Sequence, residues 1–480
     1  MAVDYDLVVL GDSEAGCWAA IAAARHKARV ALITTPCLRT QPSVLALALR
    51  ELGVKVRQAH RLEPFQLQRP LLTRDDAVNY PLDFDWVCAW ADAIVSSLNE
   101  RDQDRLMSEL GIDLIEGPGE FQLQPTLQLQ VERRQVRSRA FLIAFEPDLN
   151  PPSIPGLKLL TISDLFASVQ TEGRQWPQDI VVVGTGPTAA LVSQSLAQLG
   201  SQVTLVVRDH RILPDEDADA AFLIQARLEA KGVRVLTHCS VKDAIALTNQ
   251  RQQVITTTTQ LEAQAVLWTE DQGKRSLPWN LSELGLASTP QGLWVNSKLQ
   301  TSHPHIYACG ALLGGYPFAH VARYEAEVAL KNALFGPFRS VDYRWIPWAV
   351  WTDPELARVG LTEAQARQRY AKVHVLKQVY SALDRAHLQG ETTGLCKLIV
   401  QHNGQILGAH LVGAAAAETI PLIAFAMKHR HPVQDLSDLS PIAPTYAQIV
   451  AHAAAAWRMQ HQGTLNCLRR WLNLRRIWHI

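Results

Sequence analysis

The residues best placed to do chemistry in this chain are the glycines of a short turn. Gly184-Thr185-Gly186-Pro187-Thr188-Ala189 follows the apolar run Asp179-Ile180-Val181-Val182-Val183 and precedes an alanine-containing helical stretch at 189–199. Between a strand and a helix, a GxGxxA turn lets the backbone approach a pyrophosphate, while the helix N–H groups and positive dipole end bind the anion. Gly184, Gly186, Pro187 and Thr188 are therefore candidate ligands of a dinucleotide. The next strand ends at Val207 without the carboxylate that would hold a ribose 2′-hydroxyl, and Arg208, His210 and Arg211 follow it. Cations there suit a 2′-phosphate. NADP(H) is expected over NAD(H), the alternative being a solvated basic loop.

Thiol chemistry has little material. The seven cysteines, at 17, 37, 88, 239, 309, 396 and 467, are nowhere closer than twenty residues, so neither a CxxC pair nor a zinc-ligand spacing exists. An odd count also fits a reduced, intracellular compartment.

The elements that must carry the turn form a βαβ unit: a strand at 179–184, a helix at 189–199 and a strand at 202–207. The same order occurs about 170 residues earlier, with strands at 6–10 and 28–33 around a helical stretch at 19–25. Between the units a helix is expected over 84–110 and short polar strands over 123–144. A boundary falls in the turn-rich Asn150-Pro151-Pro152-Ser153-Ile154-Pro155-Gly156. A loop-like stretch after Leu277 leads to a strand at 305–309. From Ser340 onward, a strand-rich stretch (350–360, 373–380 and 394–412) precedes helices at 416–429 and 446–461, as in a separate α+β module.

The 480 residues allow two to four domains, and 46 basic against 46 acidic residues give no net charge to attract nucleic acid. With 48% apolar and 19% charged residues the chain reads as soluble and globular. Residues 1–11 enter a strand with no signal-peptide pattern, and the apolar stretch 449–457 is short and broken by His452, so neither secretion nor a membrane span is expected.

Several motifs resemble the glutathione-reductase and mercuric-reductase family of pyridine nucleotide-disulfide oxidoreductases. Arg211-Ile212-Leu213-Pro214 with Asp217-Ala218-Asp219-Ala220 is similar to its segment after the second nucleotide strand. Thr301-Ser302-His303-Pro304-His305-Ile306-Tyr307-Ala308-Cys309-Gly310 resembles its flavin-closing strand. The stretch 352–363 and Gly390-Glu391-Thr392 look like its interface domain. The resemblance implies an α/β fold with two Rossmann-like dinucleotide-binding domains, FAD-type and NAD(P)-type, and a C-terminal α+β dimerisation domain. It implies FAD, NAD(P)H and a homodimer. Residues 1–150 and 281–339 would form the FAD-type domain, 151–280 the NAD(P) domain and 340–462 the dimerisation domain.

The departures from that pattern fall on chemical positions. In the first turn, Gly11-Asp12-Ser13-Glu14-Ala15-Gly16, Ser13 replaces the middle glycine, and two carboxylates approach the place of the FAD diphosphate. Gly11, Ser13, Gly16 and Gly310 remain the candidate flavin contacts of an eroded site. The following strand ends in Thr34-Thr35, without a ribose-gripping acid. Ala144-Phe145-Glu146 and Trp268-Thr269-Glu270 stand where the family has Ala-Thr-Gly, and Ala311 replaces its flavin-contacting Asp. Only one thiol lies in Cys37 to Ser43, the place of the redox disulfide. The family's Lys-Glu pair resembles Val44 and Leu191 here, a joint loss that reads as a repacked apolar site. Its His-Pro-Thr-x-Ser-Glu resembles Ala443-Pro444-Thr445-Tyr446-Ala447-Gln448, so no catalytic residue is assigned. His452 and Cys37 read as structural residues.

The tail, residues 463–480, ends in Leu465-Asn466-Cys467-Leu468-Arg469-Arg470-Trp471-Leu472-Asn473-Leu474-Arg475-Arg476-Ile477-Trp478-His479-Ile480. A helical wheel places Leu465, Cys467, Leu468, Trp471, Leu472, Leu474 and Trp478 on one face and Arg469, Arg470, Asn473 and Arg476 on the other, with Arg475 and Ile477 off-pattern, suited to an anionic membrane surface, a partner protein or this protein's own dimer. The expected protein is cytoplasmic, with a peripheral place on a membrane left open. It binds NADP(H), lacks disulfide chemistry, and serves as a nucleotide-binding, sensing or scaffold protein with a weakened or lost flavin. A FAD-dependent NAD(P)H:quinone-type oxidoreductase and an interaction protein with two empty sites are the alternatives.

Overall fold

The computed structural model describes residues 3–34, 42–62, 89, 93, 103–122, 127–145, 151–154, 156–172, 177–247, 251–269, 280–281, 284–289, 291–315, 318–460 and 471–476. Its first sheet is parallel, in the order Ile306–Ala308, Phe141–Ile143, Leu7–Leu10, Val30–Thr34, Asp113–Glu116. The central strand is wholly buried, as a parallel strand covered on both faces must be. The Glu14–Arg25 and Ala319–Phe335 helices cover one face; Phe121, Leu129, Val131 and Val136 of a small antiparallel sheet cover the other.

The second sheet repeats this plan. Its parallel order is Arg234–Leu236, Gln202–Val206, Asp179–Val183, Ala265–Trp268, Leu159–Leu160. The Pro187–Gln198 and Ala218–Ala230 helices pack on one face, and a three-stranded antiparallel sheet spanning Val241–Ala246, Gln252–Thr256 and Gln260–Ala263 packs on the other. The C-terminal sheet is antiparallel, in the order Trp348–Val350, Glu355–Gly360, Ile406–Gly413, Leu395–Gln401, Val373–Val379, with the Ala416–Lys428 and Gln448–Gln460 helices on one face.

The structure differs from expectation at three places. The first helix begins at Glu14, a turn and a half before 19, because Ser13 caps it. Phe141–Ile143 is a fully buried strand of the first sheet rather than a short polar one. The 21-residue helix Pro42–Leu62 was not foreseen; Leu45, Ala46, Leu49 and Leu52 bury one side of it against the second domain. Leu191 and Leu196 of the Pro187–Gln198 helix share that core. Of the helix expected over 84–110, Gln103–Glu109 is helical and most of the remainder lies outside the described residues.

Candidate functional site: two glycine turns and a buried charged seam

The two nucleotide-type turns share one construction. Each has a glycine at the end of its first strand, pressed by a residue just beyond the parallel strand paired with it, Phe141–Ile143 in one sheet and Ala265–Trp268 in the other. Gly11 has φ +104°, and a Cβ on it would lie 2.5 Å from Phe145 Cβ. A Cβ on Gly184 would lie 2.3 Å from Thr269 Oγ1, whose hydroxyl donates to Val183 O at 2.9 Å. A side chain at Gly11 would meet the Phe145 backbone as well and force the turn off its strand, whereas one at Gly184 would displace the Thr269 hydroxyl. Phe145 and Thr269 are thus structural partners of the turns; Glu146 and Glu270, which follow them, lie outside the described residues.

The helix termini beyond the turns differ. At the first, Ser13 is the N-cap: its Oγ accepts the Gly16 N–H at 3.2 Å and its hydroxyl donates to Ala144 O. One of the otherwise unpaired first-turn donors is therefore already satisfied by a side-chain oxygen. Glu14, in the first turn, is exposed; Asp12 is half-buried. Thr34 closes the second strand, and Thr35 lies outside the described residues.

At the second terminus, Gly186 is the N-cap with extended backbone, Pro187 opens the helix, and no side chain caps it. The Ala190 N–H reaches Gly186 O at 3.2 Å, which leaves the preceding Thr188 and Ala189 amides without an intrahelical acceptor. The basic loop lies beside this turn because the Leu213 N–H donates to Thr185 O at 2.8 Å. Arg208 and His210 are exposed on it. Arg211 is half-buried, and its Nη2 donates to Pro214 O at 3.1 Å and Glu216 O at 3.0 Å. Arg211 thus helps to hold the loop through these carbonyls.

Gly310 follows the Ile306–Ala308 strand, and its N–H donates to the buried Glu325 carboxylate at 2.7 Å. Tyr343 Oη donates to the other oxygen of Glu325 at 2.7 Å. Burial pushes the Glu325 pKa up, and these two donors offset part of that rise.

The place of the family's ion pair is apolar where it is described. Leu191 is buried in the core with Leu45, Ala46, Ala48 and Leu49 of the Pro42–Leu62 helix, while the Val44 side chain lies outside the described residues. Cys37 and Cys88 also lie outside them. The four described cysteines, Cys17, Cys239, Cys309 and Cys396, are buried and form no disulfide. Burial raises the Cys309 thiol well above its ordinary pKa and pushes Cys396 up to about 12. Gln448 Oε1 accepts the Thr445 N–H at 3.0 Å, and His452 is exposed.

A buried charged seam, which the sequence reading missed, joins the second domain to the C-terminal sheet. Arg358, Lys397 and His410 are neighbours across three strands, on the face opposite the C-terminal core. The Lys397 ammonium meets Asp217 at 2.8 Å, and Asp219 and Glu363 at 2.7 Å each. Burial works against the Asp217 carboxylate, but the neighbouring His410, the Lys397 ammonium and the Glu363 N–H hold its pKa below the usual range. Burial likewise opposes the Lys397 charge, and the three carboxylates raise its pKa above the ordinary lysine value. Arg358 pairs with the buried Glu216 at 3.2 Å and stacks 4.1 Å from the Trp348 ring centroid. The signal available in the sequence was Lys397 itself, one cation inside the apolar run Leu395-Cys396-Lys397-Leu398-Ile399-Val400.

The profile of the family "Pyridine nucleotide-disulphide oxidoreductase" matches residues 5–326, and that of its dimerisation domain matches residues 346–454. The chain belongs to this family. As a pyridine nucleotide-disulphide oxidoreductase family member it shares a lineage of FAD- and NAD(P)H-dependent oxidoreductases and carries the dimerisation domain of a homodimer. It is 30% identical over 453 residues to a mercuric reductase of Staphylococcus aureus, covering 91% of this chain and 79% of that protein. It is 28% identical over 439 residues to a dihydrolipoyl dehydrogenase of Bacillus subtilis (strain 168), covering 88% of this chain and 92% of that protein. Among solved structures it matches the HOCl-induced flavoprotein disulfide reductase RclA from Escherichia coli, with a TM-score of 0.79 and 22% identity over 94% of this chain and 99% of that one. At that identity the likeness concerns the fold.

Proposed function

We propose that this family member binds NADP(H) in its second domain, has given up thiol–disulfide chemistry, and holds a flavin weakly or not at all. Its role on this reading is nucleotide binding, sensing or scaffolding as a homodimer, with the tail, residues 463–480, attaching it to something outside the oxidoreductase body. The observation that carries the reading is the contrast between the two helix termini. Ser13 Oγ takes the Gly16 N–H, so the first terminus offers one donor fewer to a diphosphate and sets Glu14 beside it. An anion there meets a lone pair and a carboxylate where an uncapped terminus would offer one more amide. The diphosphate of FAD does not suit that turn.

The uncapped second terminus suits a dinucleotide. Gly184, Gly186, Pro187 and Thr188 would hold the pyrophosphate, and Arg208 with His210 the 2′-phosphate, while Arg211 fixes the loop through its carbonyl contacts. A bound nicotinamide dinucleotide would supply hydride chemistry. Thermal unfolding tests this part: NADPH should raise the melting temperature more than NADH, and the absence of a shift with either would refute nucleotide binding.

One observation favours a second reading, an active FAD-dependent NAD(P)H:quinone-type oxidoreductase. Gly11 keeps the family's tight turn against Phe145, so a flavin dinucleotide could still be held through backbone contacts. NADPH oxidation by a quinone, with and without added FAD, separates the two. Flavin-dependent turnover would establish the enzyme, and no turnover in either condition would remove it.

A further inference from the structure

We infer that the C-terminal segment is a docking surface for anionic lipid, holding the protein on a membrane face without crossing it. This inference rests on the attachment reading of the tail and names what it attaches to. Residues 471–476 form a helical turn and a half in which every residue is exposed. Trp471, Leu472 and Leu474 remain 53%, 50% and 56% exposed, so the body of this chain does not bury them. Arg475 stacks 4.8 Å from the Trp471 ring centroid, which brings a guanidinium and an indole to one side of the segment. Paired tryptophan and arginine suit the boundary where headgroups meet acyl chains, because the ring enters the apolar layer while the cation stays with phosphate.

Charge selects the kind of surface. Residues 465–480 contain four arginines and no acid, whereas the whole chain is neutral, so the preceding 464 residues carry four more acids than bases. Four arginines without an acid give this segment a local positive charge that an anionic bilayer attracts, which makes the tail a point of contact. Among the described residues, no helix is long and apolar enough to cross a membrane. The segment therefore lies along the interface, held by a few apolar side chains and by attraction to headgroups.

The full-length protein should float with vesicles of phosphatidylcholine mixed with phosphatidylglycerol, stay behind with phosphatidylcholine alone, and be released by raised salt. Replacing Arg475 and Arg476 by Gln should lower partitioning about fivefold per residue. Deleting residues 463–480 should abolish it while leaving the melting temperature and its response to NADPH unchanged. Equal flotation with both lipid mixtures, or flotation that survives the deletion, would overturn the inference. If no vesicle binds the full chain but the deletion changes its mass by light scattering, the tail attaches protein to protein; the lipid inference then fails while the attachment reading stands.

Discussion

Ser13 caps its helix with a side-chain oxygen, a use that on the proposed reading competes with ligand binding. A capping oxygen stabilises the fold without a ligand, whereas a glycine at the same place leaves the amides to an incoming anion. Ser13→Ala should therefore lower stability by about 1 kcal/mol in chemical denaturation, the usual worth of an N-cap. Ser13→Gly should lose only a few tenths of a kcal/mol. It should also tighten FAD binding about tenfold, measured by quenching of flavin fluorescence on titration, because an N–H donor returns to a charged acceptor. On the second domain, Arg208→Leu should weaken NADPH about tenfold to a hundredfold by calorimetry and leave NADH nearly unchanged. Arg211→Leu should instead reduce binding of both nucleotides alike, since its guanidinium holds Pro214 and Glu216 carbonyls. The carbonyl contacts of Arg211 were hidden in the sequence, where Arg208, His210 and Arg211 read as one basic cluster.

At the scale of elements, the strands Glu355–Gly360, Leu395–Gln401 and Ile406–Gly413 carry both a core and a seam. Alternation sends Ala357, Val359, Leu398 and Leu411 into the C-terminal core, and Arg358, Lys397 and His410 toward the second domain. Lys397→Met should destabilise the protein by about 3–5 kcal/mol, because it strands the buried Asp217 carboxylate. Adding Asp217→Asn should recover part of that loss, which a double-mutant cycle measures. The seam also carries a pH dependence. His410 is fully buried, its Nε2 lies 3.1 Å from Leu361 O, and burial lowers its pKa to about 4. Its folded pKa lies below its unfolded value, so the neutral ring's stability is present above pH ~6.5 and is lost as pH falls toward 4. Urea unfolding at pH 7 and pH 5 should show a loss that is smaller by about 2 kcal/mol in His410→Gln. Asp217 and Asp219 stood out in the sequence as part of a motif, but their partner Lys397 is 180 residues away from Asp217, a pairing that strand register creates and no local pattern announces.

The whole molecule repeats one plan twice, and that repetition was readable: two buried βαβ openings with glycine turns, then a strand-rich module. What was not readable followed from tertiary contact. The Pro42–Leu62 helix earns its place by burial against the second domain and by ion pairs from Arg50 to Glu355 and from Arg57 to Asp353 and Glu391. Phe145 and Thr269 lie in the two stretches that depart from the family's Ala-Thr-Gly by replacing its glycine with Glu146 and Glu270, and their packing on Gly11 and Gly184 is visible only in three dimensions. The two nucleotide sites are therefore alike as scaffolds and unlike at the helix termini, which bears directly on what the protein carries. The decisive measurement is the cofactor content of freshly purified full-length protein, by absorbance and by chromatography after denaturation. Flavin well below one per chain, with NADPH still bound on addition, is the expected outcome; one tightly held FAD per chain would contradict it.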